Sequence, residues 1–495
     1  MGKMSTLRKG IILVQPREGI YNRVLKPWVP LSLLSAVSRV DTEGYPITII
    51  DQRIDKEWDR QLVDALAREP ICVGITSMTG SQILGALEAS QLVKNQSVVP
   101  VIWGGVHSTL FSKQTLEHPF IDIIVRGEGE ETFYELIKRL EGKKSLDGLK
   151  GVWYKQNGCI VKNHDRPFID LNQAPQTPYH LVNLTHYLHR FFGEKKVIEI
   201  ESSRGCPFAC AFCYNAVYSK RTWRALSAEK VMEKMKRLID HYSCHTFHFI
   251  DDSFFVSKER VNEIMRGITK ENLKVILGFQ GIRIDTLSQM EDDELELLSR
   301  AGGRFLQFGV ESGSPRILEM INKKIKVEEV ISLNRRLVKY PQLIPYYNFM
   351  CGFPTETKED LFKTTSLAWA LLKENKMAMI SPFHHYKPYP GTALYDAAIN
   401  KHFAIPRALE EWGHFDWTNS IPQEPDRAMM RLRKNVELAS ILADKKMEKQ
   451  SDSDFWTFMA KLYRPIARFR LRNNFYSLMP EGMLMTSERR TYDEE

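Results

Sequence analysis

The chain has 495 residues, of which 43% are hydrophobic and 26% charged, with a formal net charge of +8. That length exceeds one ordinary domain, and the composition is globular rather than disordered or fibrous. Basic residues are spread among acids, which argues against a nucleic-acid partner; only Tyr463 to Arg472 is denser, with Arg464, Arg468, Arg470 and Arg472.

At the start, Lys3, Arg8 and Lys9 precede only a short apolar run, Ile11 to Val14, so no secretory leader is expected. No apolar run approaches the roughly 20 residues that span a bilayer, so no integral membrane segment is expected. A cytoplasmic location is expected. The seven cysteines then point to metal or catalysis rather than disulfides.

Residues 1–145 alternate strand-like and helix-like segments. Short β-branched runs at Gly10–Val14, Ile47–Asp51, Ile71–Ser77, Val98–Trp103 and Ile121–Val125 suit parallel strands covered on both faces. Helical periodicity falls at Trp58–Ala67, Ile83–Val93 and Glu130–Leu140. The pattern predicts a Rossmann-like, doubly wound α/β domain, which binds ligands at the carboxyl ends of its strands. Residues 146–195, rich in glycine and proline, read as a linker.

From Val197 a second alternation begins, with strands expected at Val197–Glu201, Thr246–Asp251, Lys274–Phe279, Arg304–Val310, Ile344–Met350 and Met379–Tyr386. Ser288 with Glu291, and Thr357 with Asp360, resemble capping boxes. Six strand–helix repeats over residues 196–400 predict an open (β/α)6 barrel. Residues 401–495 read as a C-terminal helical domain, with amphipathic helices over 426–449 and 453–470.

The sharpest feature follows the first barrel strand: Cys206, Cys210 and Cys213, spaced Cys-x3-Cys-x2-Cys. Ordinary [4Fe–4S] sites use four cysteines. With three, one iron stays open, a reactive arrangement rather than a structural one, as with open and closed zinc sites. A three-thiolate zinc site and chance clustering are the alternatives. Cys72, Cys159, Cys244 and Cys351 read as small buried hydrophobes.

The motif resembles that of the radical S-adenosylmethionine (SAM) enzymes. The resemblance covers about residues 196–395. It implies a [4Fe–4S] cluster on the three cysteines, with SAM on the open iron cleaved to a 5′-deoxyadenosyl radical. It places Phe212 against the adenine, and Asp251, Asp252 and Ser253 at the SAM amino group. Arg283 is assigned to the carboxylate, Glu311 and Ser312 to the ribose, and Gly352 and Pro354 to the loop under the adenine. Pro388-Tyr389-Pro390-Gly391-Thr392 closes the pattern. No catalytic residue is assigned beyond the cluster.

Three loops of the first domain sit where a ligand should: Thr76-Ser77-Met78-Thr79, Gly104-Gly105-Val106-His107 and Gly127-Glu128-Gly129-Glu130. Small residues let the backbone approach a large ligand, and hydroxyls and free amides suit a phosphate tail. A nucleotide-binding Rossmann domain fits the same features. The loops resemble the cobalamin (B12)-binding domain ahead of many radical SAM domains, which implies cobalamin. The Asp-x-His-x-x-Gly motif that ligates cobalt from below is absent. His107 is expected to hydrogen-bond rather than to bind cobalt, and the cobalt to face the Thr76–Thr79 loop.

The resemblance implies an oxygen-sensitive methyltransferase acting at an unactivated carbon, using the radical and methylcobalamin. A cyclase, oxidoreductase or ring-rearranging enzyme without methyl transfer is the alternative, as in the anaerobic magnesium-protoporphyrin monomethyl ester cyclase. A cobalamin and iron–sulfur carrier is the non-enzyme alternative. The expected partners are a small-molecule, lipid or natural-product substrate and an electron donor such as flavodoxin or ferredoxin. His384, His385, Tyr386 and Lys387 could line the cavity or pack at the rim. Phe455, Trp456 and Phe458 are expected chiefly to pack in a core.

Overall fold

The computed structural model describes residues 8–18, 27–191, 193–400, 405–415, 426–446, 454–477 and 479. They fall into two units, Met1–Tyr187 with Ile405–Asn419 and Leu188–Ala404 with Ser420–Glu495.

In the first unit β1 (Ile11–Gln15), β2 (Ile47–Asp51), β3 (Val73–Thr76), β4 (Val101–Gly104) and β5 (Ile123–Val125) form a parallel sheet in the order β2-β1-β3-β4-β5. Alternate residues of one strand feed two cores. Ile12 and Val14 pack with Leu62 and Ile83 on one face, Ile11 and Leu13 with Leu33 and Leu136 on the other. The strand order reverses between β1 and β3, the switch point at which sheets of this kind take ligands.

The sheet does not stop at residue 145. β6 (Val152–Gln156) and β7 (Cys159–Lys162) add antiparallel to β5, so the expected linker begins as part of the first unit. Asn157 and Gly158, both at positive φ (51° and 79°), make the two-residue turn between them. Asn-Gly supplies that left-handed pair at little strain.

A second departure concerns the C-terminal region. Leu409 and Trp412 belong to the first unit's core, not to a helical domain running from 401. The Trp412 ring lies 4.1 Å from that of Phe111, and its Nε1 donates to Gln114 Oε1 at 2.7 Å.

The second unit is built on β8 (His189–Phe191), β9 (Glu194–Ile200), β12 (Thr246–Phe249), β13 (Ile276–Ile282), β14 (Gly303–Glu311), β15 (Ile344–Cys351) and β16 (Met379–His385), in the order β16-β15-β14-β13-β12-β9-β8. A two-stranded ribbon, β10 (Ser203–Arg204) and β11 (Arg224–Ala225), stands apart from it. From β9 to β16 every neighbouring pair is parallel, and among the described residues β8 and β16 are the edges and do not pair, so the barrel is open. Local chemistry starts the helices between strands. Ser227 Oγ accepts from Lys230 N at 3.2 Å ahead of Ala228–Tyr242. Thr357 and Asp360 form the expected reciprocal box. The other box lies one turn later than expected: Glu291, not Ser288, caps Asp292–Arg300, and Glu294 reaches back to its N–H at 2.7 Å. Ser288 instead ends the short helix Ile284–Ser288. The final helices are Arg427–Leu442 and Asp454–Asn473. No helix among the described residues is long and apolar enough to cross a membrane.

Candidate functional site

The three cysteines lie on one loop after β10, each partly exposed. Gly205 starts it at φ 81°, where a Cβ would lie 2.0 Å from Thr222 O, so no other residue fits without moving the backbone. The loop is clasped from three sides. Gly205 N donates to Asp252 Oδ2 at 2.8 Å. Ala211 N donates to Ile321 O at 2.8 Å, and Asn322 Nδ2 to Ala209 O at 2.7 Å. Leu394 N, just past the Pro388–Thr392 turn, donates to Ala211 O at 3.0 Å. The sixth-strand motif is thus a brace for the cysteine loop.

Cations face these thiols. Arg283 Nη1 lies 3.5 Å from Cys210 Sγ, and the guanidinium sits 3.9 Å from the centre of the Phe208 ring. Burial pushes the Cys206 thiol up, and the Cys213 thiol up to about 12, with the neighbouring thiols adding to both. An iron cluster must therefore displace protons as it binds. Among the described residues no group of His, Cys, Asp or Glu closes round a single metal ion.

The residues expected at the mouth divide into two sets. Asp251 faces inward: its carboxylate accepts from Ser202 N, Ser202 Oγ and Ser203 Oγ at 2.6–2.7 Å, and burial still raises it to about 6. Ser312 is likewise consumed, bonded to Thr364 Oγ1 at 3.0 Å in the interior. Ser253 is buried, and its Oγ lacks a partner. Arg283 is held by Asp285 at 2.8 Å and donates to Lys323 O at 2.6 Å. Phe212 meets Phe353, next to Gly352 and Pro354, with ring centres 6.0 Å apart. Gly352 turns the chain at φ 82°.

Lys323 carries no sequence motif and escaped the reading of the sequence. It is buried, pairs with Glu311 Oε1 at 2.7 Å and lies 5.9 Å from the centre of the Phe212 ring. Burial opposes its charge, but Glu311 and Cys210 outweigh that, so it stays an ammonium. Glu311 sits at φ 70° beside a register shift in β14. Gly309 makes room: a Cβ there would lie 2.5 Å from Glu311 Oε1 and 2.8 Å from Lys323 Nζ.

On the sixth strand His385 Nε2 faces Glu437 at 3.5 Å, and burial lowers the His384 imidazole. Beneath them Glu356 pairs with Arg433 at 3.2 Å; burial still raises its carboxyl to about 7.

In the first unit the loops after β3 and β4 are knitted together. Ser77 Oγ bonds Gly104 O at 2.9 Å and Ser108 Oγ at 2.6 Å, and Ser32 Oγ lies 3.3 Å from Thr76 Oγ1. Gly105, at φ 99°, allows it, since a Cβ would lie 2.7 Å from Ser77 O. Val106 opens the short helix after this turn. Above Gly127 there is open space, whereas Gly129 lets Ala36 approach. Glu128 accepts from Ile169 N at 3.1 Å, and Glu130 is buried. Met78 is 53% exposed. His107 is fully buried. Its Nδ1 bonds Thr79 Oγ1 at 3.0 Å, its ring stacks on Phe111 at 4.8 Å, and burial lowers it to about 3.

Residues 200–368 match the radical SAM superfamily and residues 19–137 the B12 binding domain. An uncharacterized methyltransferase of Pyrococcus horikoshii is 31% identical over 395 residues, 79% of this chain and 83% of that one. The chain belongs to the radical SAM family, in its branch with a B12 binding domain.

The anaerobic magnesium-protoporphyrin IX monomethyl ester cyclase of Cereibacter sphaeroides is 26% identical over 74% of this chain and 60% of its own length. The fold is that of TsrM, a radical SAM methyltransferase from Kitasatospora setae solved with tryptophan and a SAM analogue (TM-score 0.71, 16% identity, 98% and 100% coverage). This radical SAM enzyme thus takes a [4Fe–4S] cluster, SAM and cobalamin as its cofactors. Its own residues fit them. Three thiols share one loop beside Arg283. The B12 loops present small residues, open space above Gly127 and the exposed Met78, while the imidazole of His107 is turned into the core.

Proposed function

We propose that this protein is a cobalamin-dependent radical SAM methyltransferase acting at an unactivated carbon of a small molecule. The observation that carries it is the three-thiol loop braced by Asp252, Asn322 and Leu394, in a chain that also holds a B12 binding domain. When bound, the cluster with SAM supplies a 5′-deoxyadenosyl radical and methylcobalamin supplies the methyl group.

The chain's own residues divide the remaining work. Cys206, Cys210 and Cys213 would hold the cluster. Asp252 accepts from Gly205 N and fixes the start of the loop, while Asp251 and Ser312 act by keeping the backbone in place. Arg283 balances the thiolate charge. The Glu311–Lys323 pair offers a buried carboxylate to hydroxyls and an ammonium beside the Phe212–Phe353 rings. Burial of these groups excludes water from the mouth. At the B12 loops Thr76, Ser77, Met78, Thr79, Gly104, Gly105 and Val106, with Gly127 to Glu130, would hold the cobalamin, and His107 supports them from the core. The His107 imidazole is engaged by Thr79 and packed on Phe111.

An open cluster edge oxidises readily and needs a reducing compartment, so we place the protein in the cytoplasm with a flavodoxin- or ferredoxin-like donor. The test is an anaerobic assay of reconstituted protein for 5′-deoxyadenosine and S-adenosylhomocysteine. Both are expected. Deoxyadenosine without S-adenosylhomocysteine, and without methylated product, favours the reaction class of the cyclase relative. Neither product, in protein carrying cluster and cobalamin, sinks the proposal.

A further inference from the structure

The helix Asp454–Asn473 is a surface helix turned inside out. Phe458, Leu462, Ile466 and Phe469 are 62%, 57%, 44% and 56% exposed, while Ala460, Ala467 and Leu471 are buried. Steps of four, four and three residues put the large side chains on one stripe. Phe475, 44% exposed, continues it past the helix end. Single exposed hydrophobics are ordinary, but a contiguous row marks a contact surface.

The helix is anchored, so the row is presented rather than loose. Arg468 Nε donates to Ala443 O at 2.9 Å, and Asn435 Nδ2 donates to Tyr476 O at 2.9 Å.

Charge selects the partner. Between Phe455 and Ser477 stand Lys461, Arg464, Arg468, Arg470 and Arg472, with no Asp or Glu. Lys461 and Arg472 are exposed beside the apolar stripe. A two-fold contact with a second copy would bring like charges together, and Phe455–Ser477 supplies no acid to pair them. Anionic headgroups complement them, and the exposed Lys461 and Arg472 reach phosphates while the rings sink between acyl chains.

We propose that this face of the C-terminal helix binds the surface of an anionic lipid bilayer. It lies in the interface without spanning it, and the inference is independent of the methyl-transfer reading.

The test is co-sedimentation of the full chain with vesicles of phosphatidylcholine alone and of phosphatidylcholine with phosphatidylglycerol. Expected is binding to the anionic vesicles that weakens as salt rises. Each basic residue near such a surface is worth about fivefold in partition, so the pair Lys461→Glu and Arg472→Glu lowers it at least about tenfold. The pair Phe458→Ser and Phe469→Ser, both exposed, does the same with iron content and cobalamin binding unchanged. No binding at low salt overturns the proposal, as does binding equal in all variants. A lipid-free dimer broken by the same variants assigns the face to a second copy and also overturns it.

Discussion

Gly309 lies against the buried ion pair at the mouth of the barrel. A methyl group there would overlap Glu311 and Lys323, and separating a buried pair leaves an uncompensated charge. Gly309→Ala is therefore expected to lower the affinity for SAM at least about tenfold, read by the change in the cluster's magnetic resonance signal on SAM addition. Unchanged affinity would remove the pair from the SAM site. Replacing all three of Cys206, Cys210 and Cys213 by Ala is expected to abolish iron binding, read as the loss of the cluster's visible absorption. His107 is a second residue with a clear sign. Its folded value, about 3, lies below the ordinary imidazole range, because burial disfavours its charge. The unfolded chain then binds more protons below about pH 6.5, so the first unit loses stability as pH falls from there toward 3. His107→Gln should flatten that slope in denaturant titrations at several pH values, with cobalamin binding retained. Loss of cobalamin would mean that the imidazole does more than pack.

At the scale of elements, caps and turns position the site. Thr357 and Asp360 start the helix Lys358–Glu374, on which Thr364 holds Ser312. Burial raises the Asp360 carboxyl, but Arg316, Ser314 and Thr357 outweigh it and hold it well below the usual carboxylate range. Its contribution is present above the ordinary Asp value and is lost as pH falls. Thr357→Ala is expected to cost about 1 kcal/mol, measured by the denaturant midpoint. The hairpin at Asn157-Gly158 was legible, since that dipeptide between extended runs is a strong turn signal; reading 146–195 by its glycine and proline content hid it.

For the whole molecule, the segment Ile405–Phe415 covers Phe111 and His107 in the first unit although it follows the barrel in sequence. Trp412, 1% exposed, fills that core. Trp412→Ala is expected to destabilise the first unit by about 3–5 kcal/mol, seen as a lower denaturant midpoint with the iron content of the second unit unchanged. The expected core role of Phe458 is not what the fold provides: its ring is 62% exposed. The side chains of Phe455 and Trp456 lie outside the described residues.

The sequence alone determined the parallel strands of both units and the cysteine loop, because each rests on local rules: apolar runs of strand length, and thiol spacing within one loop. It also determined the family. Tertiary structure alone decided which acids face the cysteine loop. Asp251 and Asp252 are adjacent and alike in sequence, yet serines consume one and Gly205 holds the other. It alone brought Lys323 to Glu311, Trp412 to His107, and the large side chains of the last helix outward. Those outcomes depend on contacts between residues far apart in the chain, and amphipathic periodicity says that a helix has an apolar side but not where that side points.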